Sequence, residues 1–489
     1  MKEKLIPYLS ALLSAFLLTL ASPGIDLWFL AYFALIPVIL TASQNKRPWL
    51  VFFTFAFLYY CYNLRWVETS VSHFGGAPAI VGMLLVAVFA AFLAVFWALF
   101  GWIYMRRPSA NILGATVIVA LEIVRAHLFT GFPWLYLGHT QTSFAPAVQA
   151  ADLGGEYLIS LVVAYFNLSL ASFIRDRNKN SFAIASVVVV AVFSYGFLAQ
   201  HREYNHEILK TRIIQPAYSQ NDKWDMEKEL EVTLQVSELI RNSSPQNYEL
   251  LMLPESVYPN MMDKDFTGYR LMSIVSEVTP VLAGVIRNNG KVKDREYFNS
   301  VYLFDGKNVQ TYDKRHLVPF GEYFPLGTLF KPIDYYFFKG AEDFSAGETP
   351  VVFDHGKIRA APLVCYESAY SSLVRPQIEA GANMIAVVTN DSWFGDTQGP
   401  YQHMATDIMR AVEYRRSVVR AAQTGVSACI NPDGTIQAEL GLNKAGYLDC
   451  DVQTVTARSI FSVTGYLWLV LLIMGIYLYE RRRRFINKH

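Results

Sequence analysis

Charged residues are scarce in this chain: Asp, Glu, Lys and Arg make up 17% of its 489 residues, whereas globular proteins average roughly 25%. Hydrophobic residues make up 53%, so the composition excludes both a disordered chain and an ordinary soluble enzyme. Neither sign of charge is in excess, since the chain has 42 basic and 41 acidic residues. This balance argues against a nucleic-acid partner.

Cysteine is also scarce, and its four copies show no metal-ligand spacing. Cys61, Cys365, Cys429 and Cys450 form no C-x-x-C pair and no Cys/His ligand pattern. We therefore predict no zinc site, no disulfide scaffold and no cofactor. A single Cys429–Cys450 disulfide, which an oxidising compartment would permit, is the less favoured alternative. The sequence also has no internal repeat, low-complexity tract or glycine-rich phosphate loop.

Hydrophobic residues are concentrated in two parts of the chain, 1–200 and 460–480, while 201–459 has the mixed composition of a globular domain. A membrane-spanning helix needs about 20 mainly apolar residues. Eight segments have this character: 5–22, 25–42, 49–67, 78–104, 110–128, 145–174, 181–199 and 461–480. We predict an N-terminal membrane domain (1–200, about seven spans), a soluble domain (201–459), and a final span with a basic tail (460–489).

Basic residues in the connections predict the orientation, because Lys and Arg are retained on the cytoplasmic side. One side holds 14 of them, at positions 2, 4, 46, 47, 106, 107, 175, 177, 179, 481–484 and 488. The short loops of the other side hold only 2, Arg65 and Arg125. Both termini are thus expected in the cytoplasm and the 201–459 domain outside it. The segment 129–144 is too broken for a span, and we expect its aromatic residues among lipid headgroups at the outer surface.

Four ionisable residues lie near the predicted outer ends of spans, where they can reach water or one another: Glu122, Arg125, Asp152 and Glu156. Charged groups inside a membrane domain are costly and often functional. We favour structural pairing among these residues over contact with polar headgroups. They do not resemble the midplane relay of a transporter.

The soluble domain alternates short β-rich runs with helical patterns. The predicted strands are Thr211–Ile214, Leu250–Leu253, Val281–Ile286, Phe298–Phe304 and Met384–Val388, and the predicted helices are 227–241, 368–380 and 403–423. Strands interleaved with helices predict a layered α/β domain.

Three segments carry reactive side chains at predicted strand ends. Glu255 comes after 251–254, Lys314 lies in the charged segment 312–322, and Cys365 ends 361–364 and opens a helical segment. Taken singly, these residues are explained by a solvated loop, a charged turn and a buried inert thiol. Taken together they predict a catalytic centre, in which Glu255 accepts the thiol proton, Cys365 attacks a carbonyl and Lys314 stabilises the oxyanion.

The position of Cys365 at a helix start adds a further expectation. A helix N-terminus favours the thiolate through its dipole and unpaired N–H groups. His316 and His403 leave a Cys-His pair open as an alternative, although neither histidine has a sequence feature that links it to Cys365.

At this point the sequence resembles the nitrilase superfamily, over most of 208–455. The residues that carry the resemblance are 254–256, Lys314, 365–367, 390–395, 402–403, 410–413 and Gly425. With several spans before this domain and one after it, the chain is similar to the apolipoprotein N-acyltransferase family of the bacterial inner membrane. The extended segment 314–323 and Lys223-Trp224 agree with that narrower family. Two departures are Ala217, where the family usually has Asn, and Ala422-Gln423, where it usually has Thr-Asn.

The resemblance implies an α-β-β-α sandwich attached to a polytopic helical membrane domain, with a Glu255-Lys314-Cys365 triad. It implies transfer of an acyl chain from a phospholipid to the N-terminal amine of a diacylglyceryl apolipoprotein, through a Cys365 thioester. The Tyr366 N–H would assist Lys314, Glu322 would orient Lys314 or tune Glu255, and Trp224, Tyr366 and Glu367 would shape the pocket or a lid. A monomer with its catalytic domain on the periplasmic side is expected.

Two other functions remain open at this stage. One is a membrane-tethered amidase of nitrilase type that uses water in place of an amine. The other is a non-catalytic membrane scaffold, which the intact triad disfavours. The seven spans that precede the domain exceed what is needed merely to tether it to a membrane.

Overall fold

The structure is a computed structural model that describes residues 2–108, 110–223, 227–262, 266–291, 295–306, 308–325 and 343–486. Residues before 201 form helices. These are α1 (Lys2–Ala21), α2 (Ile36–Ala42), α3 (Pro48–Asn63), α4 (Trp66–Glu68), α5 (Ala79–Tyr104), α6 (Asn111–His127), α7 (Ala145–Val148), α8 (Ala151–Gly154), α9 (Glu156–Asp176) and α10 (Lys179–Gln200). Short 3₁₀ turns at Trp28–Tyr32 and Leu137–Gln141 and a π turn at Thr69–Phe74 connect them.

Among the described residues, three helices are long and apolar enough to cross a membrane: α5, α9 and α10. A fourth span results if α3 and the segment Trp66–Phe74, which are bent by 50° relative to each other, are counted as one span. Leu5–Ala21, Trp28–Ala42 and Leu467–Leu478 are apolar but shorter. Large apolar side chains face outward on these helices, with Val88 and Leu198 exposed by 67% and 77%. Such a surface suits lipid rather than water.

The segment 145–174, predicted as one span, is broken near its start. Gly155 has φ +71° and separates α8 from α9, so the long helix begins only at Glu156. A Cβ on Gly155 would lie 2.7 Å from the Phe461 ring. The close approach of Phe461, together with the positive φ, accounts for glycine at this break.

The rest of the chain forms two six-stranded sheets. The strands are β1 (His206–Gln215), β2 (Leu250–Leu253), β3 (Val281–Asn288), β4 (Tyr297–Phe304), β5 (Val309–Asp313), β6 (Phe353–His355), β7 (Ile358–Val364), β8 (Met384–Thr389), β9 (Ser417–Ala422), β10 (Ser427–Ile430), β11 (Ile436–Leu440) and β12 (Gly446–Val455). The orders are β12-β1-β2-β3-β4-β5 and β11-β10-β9-β8-β7-β6. The pairs β1–β2, β2–β3, β7–β8 and β8–β9 are parallel, as expected for strands joined through helices.

Helices cover the outer face of each sheet. They are α11 (Gln220–Lys223), α12 (Glu229–Arg241), α13 (Thr267–Ser276), α14 (Ser371–Glu379) and α15 (Gly399–Tyr414), followed by α16 (Ile460–Thr464) and α17 (Leu467–Ile486). Val236 and Met272 of α12 and α13 pack on the first sheet, and Val374 and Ile408 of α14 and α15 pack on the second. A separate apolar core fills the space between the sheets. The layers therefore form the α-β-β-α sandwich that the resemblance implies.

Most predicted elements of this domain agree with the structure, and β2 has the predicted bounds. The predicted helix 403–423 is wrong in its second half. Helix α15 ends at Tyr414, Arg415 takes a left-handed conformation with φ +51°, and strand β9 follows. The β-branched pair Val418-Val419 lies between two neighbouring strands of the sheet, so tertiary pairing overrides the helical pattern of the sequence.

The expectation that the cysteines stay unpaired is wrong for two of them. Cys429 of β10 and Cys450 of β12 form a disulfide, with their Cα atoms 6.0 Å apart. The two strands belong to different sheets, so the bond joins the layers across the buried core. Cys61 and Cys365 are the unpaired thiols of the described residues.

Buried ion pairs join the helices before residue 201 to the sandwich. Arg410 Nη2 lies 2.7 Å from Glu156 Oε2, and Arg415 Nη2 lies 2.7 Å from Asp152 Oδ2. The Arg125 guanidinium donates to the Trp134 carbonyl at 2.7 Å. The ionisable residues near the span ends thus have structural partners, but Asp152 and Glu156 pair with arginines of the sandwich and not, as expected, with the other residues of that group.

The segment 129–144 does not lie open at the surface as predicted. Trp134 and Tyr136 are buried, and Gln402 of α15 holds the segment through a hydrogen bond from the Trp134 indole at 2.9 Å. Phe129 is the exception, with 84% of its surface exposed. The sequence pattern identified the break in the helices but not the surface on which the segment packs.

Candidate active site

The three predicted catalytic residues follow three strands that end at the same side of the sandwich. Glu255 comes after β2 and Lys314 after β5 in the first sheet, and Cys365 comes after β7 in the second. The charges of Glu255 and Lys314 both act on the Cys365 thiol. The structure therefore brings the three side chains together at one edge, between the two sheets.

Glu255 is buried and held at both carboxylate oxygens. Its Oε1 accepts a hydrogen bond from Asn299 Nδ2 at 2.6 Å, and its Oε2 accepts one from the Asn390 N–H at 2.8 Å. The backbone around it approaches β3 so closely that a Cβ on Gly284 would lie 2.4 Å from the Glu255 Cα. Glycine at 284 is thus required for this approach.

Lys314 is almost fully buried, and its ammonium faces Glu322. Lys314 Nζ lies 2.8 Å from each oxygen of the Glu322 carboxylate. Burial by itself lowers the pKa of Lys314, but the negative charges of Glu322 and Glu255 outweigh it and leave this pKa raised. Lys314 is therefore a fixed cation beside the thiol, as an oxyanion donor requires.

Cys365 occupies a strained turn. It has φ +52° and opens a five-residue 3₁₀ turn, Cys365–Ala369. Burial, followed by the Glu255 charge, raises the pKa of the thiol well above its ordinary value, although Lys314 acts in the opposite direction. The expected stabilisation of the thiolate by a helix terminus is thus not found, because the turn is short and the thiol is desolvated. A base must remove the proton during the reaction.

A buried charge network lies beneath the nucleophile. His403 Nδ1 is 2.9 Å from Asp391 Oδ1, and His403 Nε2 is 3.0 Å from the Cys365 carbonyl oxygen. Arg420 pairs with Asp391, and its charge helps to lower the pKa of that carboxyl. Cys365, Asp391 and His403 each have a potential metal-ligand atom within 4.8 Å of the others. Both histidine nitrogens and Asp391 already have partners, so this arrangement supports the Cys365 backbone better than it would support an open metal site.

His316, the other histidine considered, lies beside aromatic rings. Its ring centroid is 4.0 Å from that of Tyr370 and 6.1 Å from that of Tyr366. Burial and the Lys314 charge lower the pKa of His316, which favours a neutral ring. No contact in the described structure pairs it with the Cys365 thiol.

Tyr366 and Glu367, adjacent to Cys365, have different environments. Tyr366 is partly exposed, and its ring centroid lies 5.9 Å from that of Trp134 and 6.5 Å from that of Phe132. Glu367 is fully buried and accepts hydrogen bonds from the Arg315 N–H at 2.7 Å and the Val364 N–H at 2.8 Å. Tyr366 thus lies against the aromatic residues of 129–144, while Glu367 ties the Cys365 turn to the Lys314 segment. Trp224 lies outside the described residues.

Sequence reasoning missed Asn299. This residue interrupts a strand otherwise rich in aromatic and β-branched residues, and asparagine has a low strand preference. That mismatch is the signal that could have identified it. Asn390 lies in the segment 390–395 that carries the resemblance, but its contact with Glu255 is made by its backbone N–H and depends on no side chain. The sequence draws attention to the aromatic segment 129–144 but does not give the surface on which Trp134 packs.

The two departures from the family pattern lie next to each other. The Ala217 N–H donates to the Gln423 carbonyl at 3.0 Å, and the Gln423 N–H donates to the Thr389 carbonyl at 3.0 Å. Because these bonds use only the main chain, the connection between the β1 end and the β8 end does not depend on the side chains that differ.

The chain is similar to proteins of two known families. Residues 14–169 match the family described as apolipoprotein N-acyltransferase N-terminal domain, and residues 210–460 match the carbon-nitrogen hydrolase family. Apolipoprotein N-acyltransferase of Geobacter metallireducens is 32% identical over 94% of this chain and 91% of its own, and that of Pasteurella multocida is 29% identical over 100% and 98%. Among solved structures, Saccharomyces cerevisiae Nit3 of the nitrilase superfamily gives a TM-score of 0.40 at 18% identity, over 53% of this chain and 93% of that chain.

Proposed function

We propose a two-step acyl transfer at Cys365 for this chain, which belongs to the apolipoprotein N-acyltransferase family. It is an acyltransferase that acylates apolipoproteins, with phospholipid as the proposed acyl donor. The observation that supports the catalytic assignment is the convergence of Glu255 and Lys314, from two strand ends of the first sheet, on the Cys365 thiol at a strand end of the second.

In the first step Glu255 removes the Cys365 proton, and the thiolate attacks an ester carbonyl of a phospholipid such as phosphatidylethanolamine. Lys314 and the Tyr366 N–H hold the developing oxyanion, where fixed donors contribute several kcal/mol. The tetrahedral intermediate expels the glycerol oxygen, which receives the proton from Glu255. A Cys365 thioester and a lysophospholipid result.

In the second step the α-amine of a diacylglyceryl-cysteine apolipoprotein attacks the thioester. Glu255 accepts a proton from the attacking nitrogen and returns it to the departing Cys365 thiolate. The products are an N-acyl amide and the original thiol, which completes a ping-pong cycle. The raised pKa of Cys365 makes the thiol a poor resting nucleophile, so this cycle needs Glu255 in both steps.

We also propose the eight-span topology, with the units 1–200, 201–459 and 460–489 and the catalytic domain on the periplasmic side of the inner membrane. The excess of Lys and Arg on one side supports this orientation. The Cys429–Cys450 disulfide supports an oxidising compartment for the sandwich. Residues that face lipid let both acylated reactants enter from the bilayer.

The rival function is hydrolysis, because water can also discharge a thioester. Aromatic cover near Cys365 favours transfer. The rings of Trp134 and Phe132 lie 5.9 and 6.5 Å from that of Tyr366, and the Tyr366 hydroxyl donates to the Gly131 carbonyl at 3.3 Å. Such cover keeps water from the thioester until the amine docks.

The test is to incubate the purified protein with phospholipid alone and follow the mass of Cys365. We expect an acyl adduct that stops forming after about one turnover, and no adduct on a Cys365→Ala variant. A peptide with a diacylglyceryl N-terminal cysteine should then discharge the adduct to an amide. The N-acetylated peptide is the matched control and should not.

Continuous release of fatty acid from phospholipid alone, at a rate that the peptide does not change, would support the hydrolase instead. An adduct on Cys61, or none on Cys365, would remove the basis of the catalytic assignment.

A further inference from the structure

Asn299 contacts three of the residues that surround the thiol. Its Nδ2 donates to Glu255 Oε1 at 2.6 Å and to Glu322 Oε1 at 2.8 Å. Its carbonyl accepts a hydrogen bond from the Lys314 N–H at 2.8 Å. The side chain is 4% exposed and lies within β4, between β3 and β5.

The two side-chain contacts define the orientation of the amide. Ionised carboxylates only accept hydrogen bonds, so the nitrogen of Asn299 must face them. Both hydrogens of that nitrogen are then used, one for each carboxylate. An amide can donate a hydrogen bond to both carboxylates without adding charge. A hydroxyl has one hydrogen and can donate to only one of them, and a carboxyl at this position would add a third acid.

The charges around Glu255 show why such a link matters. Lys223 on α11, Lys314 after β5 and the Cys365 thiol after β7 all interact electrostatically with Glu255, while Glu322 lies on the other side of the Asn299 amide. Both carboxylates act on Lys314, and the Asn299 amide binds one oxygen of each. Without that amide, Glu255 can turn toward the Lys314 ammonium and away from the Cys365 thiol.

We infer that Asn299 is a positioning residue that keeps Glu255 directed at Cys365 while Glu322 pairs with Lys314. The inference rests on the proposed function, since it assigns different roles in that reaction to the carboxylates of Glu255 and Glu322. Asn299 itself touches neither reactant. Its effect passes through Glu255.

The test measures single-turnover acylation of Cys365 as a function of pH. Loss of a hydrogen bond to a charged group should slow acylation by Asn299→Ala about 10- to 100-fold and move the acid limb of its pH profile upward. Asn299→Asp is nearly isosteric but adds a third carboxylate, so it should be slower than Asn299→Ala. A purely packing role predicts the reverse order.

Asn299→Ser retains one donor and should give an intermediate acid limb, which keeps the inference testable if the alanine variant does not fold. Asn383→Ala is the matched control. Asn383 is also a buried asparagine, bonded to the Lys357 carbonyl at 2.9 Å and the Arg359 N–H at 3.1 Å, at the opposite end of β8 from the site. Its acid limb should stay at the wild-type position.

An unchanged acid limb in Asn299→Ala and Asn299→Ser, or faster acylation by Asn299→Asp than by Asn299→Ala, would overturn the inference. Failure of the proposed function is distinguishable, because the wild-type protein would then form no acyl adduct on Cys365 at any pH.

Discussion

Replacing Lys314 by methionine separates its proposed catalytic role from its ion pair. Methionine fills much of the same space but carries no charge. The pKa of Lys314 is raised because Glu322 and Glu255 outweigh the effect of burial, so the wild-type side chain is a cation at every pH at which the enzyme is assayed. Any loss of acylation in the variant therefore reports the loss of that cation, and raising the pH of the wild-type assay cannot mimic it.

The structure predicts two separate losses. Removing one partner of a buried ion pair costs about 3–5 kcal/mol. Glu322 retains hydrogen bonds from the Val318 N–H and the Asn299 amide, both at 2.8 Å, so we expect a stability loss of about 2–3 kcal/mol. Acylation should fall on the order of 100-fold or more, as for the loss of one oxyanion donor.

A double variant, Lys314→Met with Glu322→Gln, separates these losses. In the Lys314→Met variant the Glu322 carboxylate is left without a cation. Glutamine at 322 removes that unpaired charge, so most of the lost thermal stability should be regained. Acylation should stay low, since no cation faces the oxyanion. The assays are single-turnover acylation of Cys365 by mass spectrometry and thermal unfolding in the same detergent.

Lys357→Met is the control for a lysine that only pairs at the surface. Lys357 Nζ lies 2.9 Å from Glu249, and both side chains are more than 40% exposed. Neither acylation nor stability should change appreciably. If the double variant instead acylates within about tenfold of wild type, the oxyanion role of Lys314 is refuted, and the residue is only a partner of Glu322.

Two further predictions concern the thiol and the topology. Burial and Glu255 raise the pKa of Cys365. The thiolate absorbance of Cys365 is the absorbance of a Cys61→Ala protein minus that of the Cys61→Ala/Cys365→Ala protein, and we expect this difference to be still increasing at about pH 9. A plateau below about pH 7 would indicate a preformed thiolate. A membrane-impermeant thiol reagent should label a cysteine placed at the exposed Gln246 only from the periplasmic side and one at Gln44 only from the cytoplasmic side; the reverse pattern would contradict the proposed orientation.

Two of the proposed catalytic residues, Glu255 and Cys365, were predictable because each follows a short apolar run. Leu250–Leu253 ends at a proline before Glu255, and 361–364 ends at Cys365. Strand ends lie at the edge of a sheet, where loops can present side chains. Asn299 lies inside β4. The alternation of residues along a strand predicts the face of the sheet on which the Asn299 side chain lies, but not the residues that it contacts. Its role depends on how β3, β4 and β5 pair, which no local pattern specifies.

The wrong predictions likewise concern features that depend on how distant segments of the chain pack together. The helix predicted at 403–423 follows a helical pattern up to Tyr414, but Ser417–Ala422 pairs with β8 and β10. The Cys429–Cys450 disulfide joins strands of different sheets, and a spacing of 21 residues gives no indication that two strands face each other. The ionisation of Cys365 depends on burial within the assembled site, whereas the sequence indicated only a helix start.

The segment 129–144 takes part in a hydrogen-bonded connection between the two parts of the chain. Gln402 of α15 accepts hydrogen bonds from the indoles of Trp134 at 2.9 Å and Trp66 at 3.3 Å, and its amide donates to the Asn63 carbonyl at 3.0 Å. Trp134 in turn packs near Tyr366 and near His403, which supports the Cys365 backbone. Residues from the first 200 positions thus lie beside the Cys365 turn. A thioester that must wait for a lipid-anchored amine needs protection from water, and we propose that the residues around Trp134 provide it.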